Sequence, residues 1–340
     1  MRYIGGKSLL LDNIQSIIDT YANDVDIITD IFSGSGAVGT HLKNHGYHVI
    51  SNDLLYFSYT IARGTIGVNE IPTFDGLDIS DPISYLNNID ISSLDIKDDK
   101  YFIYHNYSPN SECDRMYFQN DNALRIDAIR LQIEAWKNDN VITEDEYYYL
   151  LASLLSAVPY VANITGTFGA YLKYWDKRTY NKLQLEVPEI ITAKSCECHC
   201  GDYTKVLPVE TGLLYADPPY NSREYLPNYH VMETIARYDS PIIKGVTGIR
   251  EYTEQKSAFC KKATVHDAFV KLIKDANSRY VLISYNNEGL ISTEELSDIC
   301  KTYGNPKTFK LIEMDYRRYK NKIPNNTVGL KEQLYFVERT

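Results

Sequence analysis

The chain has 340 residues, 44% of them hydrophobic and 24% charged, the make-up of a soluble globular protein with room for one large domain or a domain carrying an insertion. Its net charge of −10 argues against wholesale, non-specific nucleic-acid binding but leaves room for a local basic face. The opening stretch "MRYIGGKSLLLDNIQ" has too short an apolar run for a signal peptide, and no later run is long enough to span a membrane, so a cytoplasmic protein is expected.

In chain order, 8–20 ("SLLLDNIQSIIDT") has apolar residues at helical spacing. The β-branched run "VDIITDIF" (25–32) predicts a buried strand, "THLKNHG" a helix stopped by Gly46, and "YHVISND" (47–53) a second strand ending in an acid. Between about 70 and 190 the rhythm changes. "NALRIDAIRLQIEAWKND" and "TEDEYYYLLASLLSAVPYVAN" carry helical periodicity without strand alternation, which predicts a helical insertion. Strands return at "KSCECHCGDY" (194–203), "GLLYADPPY" (212–220) and "RYVLISYN" (279–286), with a helix near 260–277. "FKLIEMDYRRY" and "QLYFVER" predict an antiparallel hairpin at a sheet edge. The expected fold is α/β, mostly parallel, with a core from 1–70 and 190–340 and an inserted region at 71–189. The crowded cysteines of "CECHC" invite a zinc site, but no second ligand pair follows at a metal-binding spacing; small buried cysteines on a strand are the expectation, with no metal.

Two motifs carry chemistry. Gly34-Ser35-Gly36-Ala37-Val38-Gly39 fits G-x-G-x-x-G between two strands, and Asp53 closes the second. Such a loop lets backbone approach a ligand, and a strand-end acid can take both hydroxyls of a ribose, which points to a nucleoside cofactor without saying which one. The second motif is Asp217-Pro218-Pro219-Tyr220 after an apolar strand. An exocyclic amine such as adenine N6 is a poor nucleophile because its lone pair is delocalised. The Asp217 carboxylate and the Pro218 carbonyl can each accept one of its N–H groups and steer the nitrogen toward tetrahedral geometry. Pro218 and Pro219 hold those acceptors rigid, and Tyr220 can stack on a base flipped from its duplex. The residues alone therefore reach methyl transfer to an amine on a nucleoside-cofactor fold.

At this point the sequence resembles the Dam-like, alpha-group DNA adenine-N6 methyltransferases, in particular their restriction–modification branch. "RYIGGKSLLLDNI" (2–14) looks like the family's element that closes over the cofactor, which implies that Tyr3, Gly5 and Lys7 touch S-adenosylmethionine. "DIFSGSGAVG" (30–39) resembles the glycine motif, implicating Asp30, Phe32, Gly34 and Gly36, with Asp53 for the ribose. "CGDYTKVL" resembles the segment whose residues, here Asp202 and Tyr203, flank the cofactor's adenine. "DPPYNSREYLPNYHVMETIARYD" (217–239) matches the catalytic motif, with an extension containing Arg223, Tyr225, Tyr229 and His230. The resemblance implies a Rossmann-like S-adenosylmethionine-dependent fold and a flipped adenine in double-stranded DNA. It also implies an inserted target-recognition region and a restriction endonuclease as possible companion. Where many relatives carry Pro or Ala, this chain has Ile31, with no loss of function expected.

Other amine acceptors stay open: cytosine N4 in DNA, adenine in RNA, or a protein glutamine. Asp217 and the N-terminal Gly-Gly-Lys favour adenine in DNA. A nicotinamide dehydrogenase would explain the glycine loop and leave the DPPY loop unused. A non-catalytic DNA-binding protein on this scaffold would be expected to show a damaged site. DNA contact is expected from a localised face that includes Arg223, Tyr225, Tyr229, Lys261 and the basic run "YRRYKNK" with Arg317, Arg318 and Lys320, and binding should fall steeply with salt. His230 and His266 are expected to be structural.

Overall fold

The computed structural model describes residues 3–315 and 329–339, so Arg317, Arg318 and Lys320 lie outside the described residues. Helix α1 (Leu11–Tyr21) leads into β1 (Ile27–Asp30), α2 (Ala37–Asn44) and β2 (His48–Asp53). Five α-helices follow with no strand among them: α3 (Tyr56–Gly64), α4 (Pro82–Asn87), α5 (Phe102–Tyr107), α6 (Asn120–Asn138) and α7 (Glu144–Val161). The chain then forms β3 (Glu197–Cys200), β4 (Thr211–Ala216), α8 (Leu226–Arg237) and a small hairpin, β5 (Ile243–Lys244) with β6 (Ile249–Arg250). It closes with α9 (Val265–Asp275), β7 (Ser278–Asn286), α10 (Thr293–Tyr303), β8 (Lys310–Asp315) and β9 (Lys331–Glu338).

Seven strands make one sheet in the order β3-β2-β1-β4-β7-β9-β8. The first five are parallel, and β9 runs antiparallel to both β7 and β8, which gives the expected edge hairpin. Strand alternation sorts the two faces. Leu213, Tyr215 and Leu282 bury against Ile14, Ile18 and Leu42 of α1 and α2. Leu214, Val281 and Ile283 bury against Phe269, Leu272, Leu296 and Ile299 of α9 and α10. A third apolar cluster joins α3, α6, α7 and α8. There α3 and α7 touch so closely that a Cβ on Gly64 would lie 2.2 Å from the carbonyl oxygen of Tyr148.

Two details depart from expectation. The cysteines around β3 are half-buried, because β3 is an edge strand with a neighbour on one side only. Helix α10 had no counterpart in the reading of the sequence, although its reciprocal Ser292–Glu295 capping box is a recognisable start signal. Ile31 is fully buried, so the apolar side chain suits its place.

The topology places the acids. Asp30 and Asp53 sit at the carboxyl ends of β1 and β2, and Asp217 follows β4 on the other side of β1. Connections reverse direction between β1 and β4, and at such a switch point the strand ends open a crevice for a ligand.

Candidate active site

The glycine loop leaves β1 with Gly34 at φ +51° and Gly36 at φ +78°, left-handed values that side-chain-bearing residues rarely adopt. Gly34 has a second constraint: a Cβ there would lie 2.8 Å from Cε1 of Tyr3. The N-terminal segment is thus laid over the loop, and Tyr3 is held there by aromatic stacking. Its ring lies 4.7 Å from that of Tyr229 and 5.8 Å from that of Tyr225. The Tyr229 hydroxyl accepts the Ile4 N–H at 2.7 Å. Asp53 fixes the loop from below. Its Oδ2 accepts the Gly34 N–H at 2.7 Å and its Oδ1 the Leu55 N–H at 2.8 Å. The Leu54 N–H also faces this carboxylate, so about one of its roughly four lone-pair sites stays open to a ligand.

In the DPPY loop, Lys7 Nζ sits 3.1 Å from Asp217 Oδ1 and donates to the Gly5 carbonyl at 2.9 Å. The Tyr220 hydroxyl donates to the same Oδ1 at 2.7 Å. Among the described residues both contacts engage Oδ1, which leaves Oδ2 for an incoming donor. Tyr220 is placed differently from a free stacking platform. Lys7 Nζ lies 4.7 Å from its ring centroid, Tyr285 packs edge-on, and the hydroxyl also lies 3.2 Å from Glu332 Oε2.

These groups meet at a cavity whose empty space, counted out to its open mouth, is about 770 Å³. Its electrostatics ask for a positive charge. Asp30 is 1% exposed, and among the described residues neither carboxylate oxygen has a hydrogen-bond partner of good geometry, the Phe32 N–H being a weak neighbour. Burial, helped by Asp217 and Asp53, pushes its pKa up to about 8. Burial also raises Asp53 to about 6 against the pull of its backbone hydrogen bonds, and raises Asp217 against the pull of Lys7 and Tyr220. Two buried acids, Asp30 and Asp53, and the partly buried Asp217 thus face one cavity, and the buried Lys7 pairs with Asp217. A ligand with a ribose hydroxyl for Asp53 and a cationic centre near Asp30 fits that set. Among the described residues no His, Cys, Asp and Glu side chains gather into a metal-holding group.

The structure brings most of the expected cofactor residues to this cavity: Tyr3, Gly5, Lys7, Asp30, Phe32, Gly34, Asp53 and Asp217 line it, with Pro219 and Tyr225. Gly36 stands at the start of α2, off the wall. Tyr203 and Asp202 are not on the wall either. The Tyr203 ring is buried against Phe32 at 5.8 Å, and Asp202 caps the turn at Thr204. Arg223 and Lys261 are exposed, and the Cys260 thiol donates to the Arg223 carbonyl, so the two lie in one region. Tyr229 is 2% exposed and supports Tyr3, so its ring has no surface for a nucleotide. His230 is buried between the Pro227 and Thr247 carbonyls, and His266 is exposed. Wall residues that the sequence did not single out include Glu224, Gln255, Ser257, Leu54 and Leu55. Glu224 Oε2 accepts the Ser257 N–H at 3.0 Å across 33 positions, a pairing that no local pattern announces.

Residues 3–299 match the profile of the D12 class N6 adenine-specific DNA methyltransferases. The chain is 45% identical to the type II methyltransferase M.FokI of Planomicrobium okeanokoites, an alignment covering 100% of this chain and 53% of that protein. It is 38% identical to the modification methylase StsI of Streptococcus sanguinis over 100% of this chain and 52% of that protein. It is 35% identical to the type II methyltransferase M.NlaIII of Neisseria lactamica, with 100% of both chains covered. The chain therefore spans about half the length of the first two relatives and the whole of the third. The chain belongs to the D12 class of N6 adenine-specific DNA methyltransferases.

Proposed function

We propose that the chain transfers a methyl group from S-adenosyl-L-methionine to N6 of a flipped adenine at a specific site in double-stranded DNA, as the modification enzyme of a type II restriction–modification system. On this reading it works in the cytoplasm beside a cognate endonuclease. Among the described residues no helix is long and apolar enough to cross a membrane. The observation that carries the reading is Asp217: a carboxylate whose contacts among the described residues use Oδ1 and leave Oδ2, on the wall of a cavity that also holds Asp53, the glycine loop and the buried Asp30.

When bound, the cofactor supplies an electrophilic methyl group on a cationic sulfur. The chain's residues do the rest. Asp53 holds a ribose hydroxyl, and the buried acids favour the cofactor's positive charge. Asp217 Oδ2 and the Pro218 carbonyl accept the two amino N–H groups of adenine, while Lys7 orients Asp217 and favours its charged form against the effect of burial. Arg223 and Lys261, both exposed, take DNA phosphates on this reading. The test is expression in a host without adenine methylation, followed by mapping of N6-methyladenine in its genome. Modification confined to one short motif supports the proposal; an unmodified genome counts against it.

The acid cluster yields a pH prediction. With its folded pKa above the ordinary carboxylate value, Asp30 keeps a proton that the unfolded chain has released, so the free protein loses stability as pH rises toward about 8. The ionised form prefers a cation. Thermal stabilisation by S-adenosylmethionine should therefore gain on that by the uncharged-sulfur product, S-adenosylhomocysteine, between about pH 6 and 9. An unchanging gap would remove Asp30 from the cofactor site.

Tyr220→Phe separates the ring from the hydroxyl. Loss of one hydrogen bond to a charged acceptor should cost about tenfold in kcat with little change in KM for either substrate. Wild-type kcat would mean that the hydroxyl has no part in holding Asp217.

Within the inserted region, proposed here to read the target sequence, Lys173, Lys177 and Lys182 are exposed, beside Tyr174 and Tyr180 at 67% and 69% exposure. A neighbouring groove carries Gln119, Asn120, Asn181 and Arg125, side chains that suit base edges. Phe168 N–H donates to the Asn228 carbonyl at 2.8 Å, tying this segment to α8 beside the catalytic loop. Replacing the three lysines with alanine should weaken DNA binding and lower the salt slope by about one for each phosphate left without its lysine, with cofactor binding unchanged. An unaltered slope would place the DNA elsewhere.

A further inference from the structure

Glu233 on α8 is fully buried, yet it belongs to no part of the chemistry above. Its carboxylate gathers four donors from three parts of the chain. Oε1 accepts the Tyr56 N–H at 3.1 Å, Arg237 Nε at 2.6 Å and Gln255 Nε2 at 2.7 Å, and Oε2 accepts the Phe57 N–H at 2.9 Å.

Two of these donors are the first N–H groups of α3, whose own N-cap residue, Leu55, makes no side-chain cap. Glu233 therefore supplies the missing cap from another helix, with its negative charge at the positive end of the α3 dipole. The start of α3 matters to the site, because Leu54 and Leu55 line the cavity and Leu55 N–H is held by Asp53. The third donor, Gln255, also lines the cavity. A carboxylate partner settles which end of the amide faces it: nitrogen toward Glu233, which fixes the oxygen as the other, accepting end. Along α8, Tyr225, Tyr229 and Glu233 recur every fourth residue and so share one face. The first lines the cavity, the second holds Ile4 and Tyr3, and the third holds α3 and Gln255. Arg237, one turn on, balances the charge.

We propose that Glu233 is a positioning residue for the cofactor cavity, setting Leu54–Leu55 and the Gln255 amide against α8, so that cofactor affinity rather than the chemical step depends on it. This rests on the S-adenosylmethionine reading above.

The test is calorimetric binding of S-adenosylmethionine to the free protein, beside steady-state kinetics and unfolding curves, for Glu233→Gln, Gln255→Glu and the exchanged pair. Glu233→Gln turns one acceptor into a donor facing donors and should weaken cofactor binding about tenfold, raising KM alike with kcat nearly kept. Gln255→Glu sets two carboxylates together and should also weaken binding. Adding Glu233→Gln to it restores one donor–acceptor pair, so the exchanged pair should bind more tightly than Gln255→Glu alone. Should Glu233→Gln fail to fold, that rescue stands as the test on the other two variants. Unchanged affinity with only a lowered melting temperature would make Glu233 merely structural and overturn the proposal, as would absence of rescue. Wild-type protein that binds no S-adenosylmethionine would sink the cofactor reading itself, and this proposal with it.

Discussion

Asp217→Ala is expected to lower kcat for methyl transfer by about a thousandfold, the upper end of what removal of one preorganised electrostatic partner costs. The size follows from the chemistry. With Asp217 gone, only the Pro218 carbonyl remains to draw an amino N–H, and the nitrogen keeps its lone pair in the ring. The variant has a second consequence, because Lys7 is 4% exposed and Asp217 is its carboxylate partner. A buried ammonium left with the Gly5 carbonyl destabilises the N-terminal segment laid over the cavity. Asp217→Asn separates the two effects: it keeps the side chain's shape and one accepting oxygen, and should be more active than the alanine variant. Rapid-quench measurement of the methyl-transfer step, beside unfolding curves for all three proteins, checks the order. An alanine variant with near-normal turnover would mean that the loop was wrongly assigned.

Asp53→Ala should weaken S-adenosylmethionine binding by about a hundredfold, the scale of losing a hydrogen bond to a charged acceptor. DNA affinity should change much less. The structure adds a cost beyond the ribose contacts. Asp53 Oδ2 anchors Gly34 and Oδ1 anchors Leu55, so the alanine variant also loosens the glycine loop and the turn into α3. Equilibrium dialysis of the cofactor checks the first effect, and fluorescence anisotropy with a duplex checks the second. Unchanged cofactor affinity would remove Asp53 from the site.

Much of this was legible because the chemistry lies on short contiguous motifs at strand ends. The run "VDIITDIF" reads as a buried strand, although β1 stops short of its end, at Asp30, and a glycine loop with a strand-end Asp53 and a DPPY turn leaves few other arrangements. The illegible part is carried by single long-range pairings. Glu224 with Ser257, and Glu233 with Tyr56, Phe57 and Gln255, join residues without shared periodicity. Tyr229 and Tyr203 show the other limit. A tyrosine in a motif reads equally as a contact or as a support, and only burial distinguishes them: the ring of Tyr229 backs Tyr3, and that of Tyr203 backs Phe32. Tyr220 likewise looks like a stacking ring in the sequence, whereas the structure directs its hydroxyl to Asp217.

The most direct test is to offer labelled S-adenosylmethionine with mixed-sequence duplex DNA, RNA and a protein extract to wild type and Asp217→Ala, then digest the nucleic acids to nucleosides. Label recovered as N6-methyladenine from DNA, and lost in the variant, is the predicted result. Label in cytosine, RNA or protein, or transfer that survives the loss of Asp217, would contradict it.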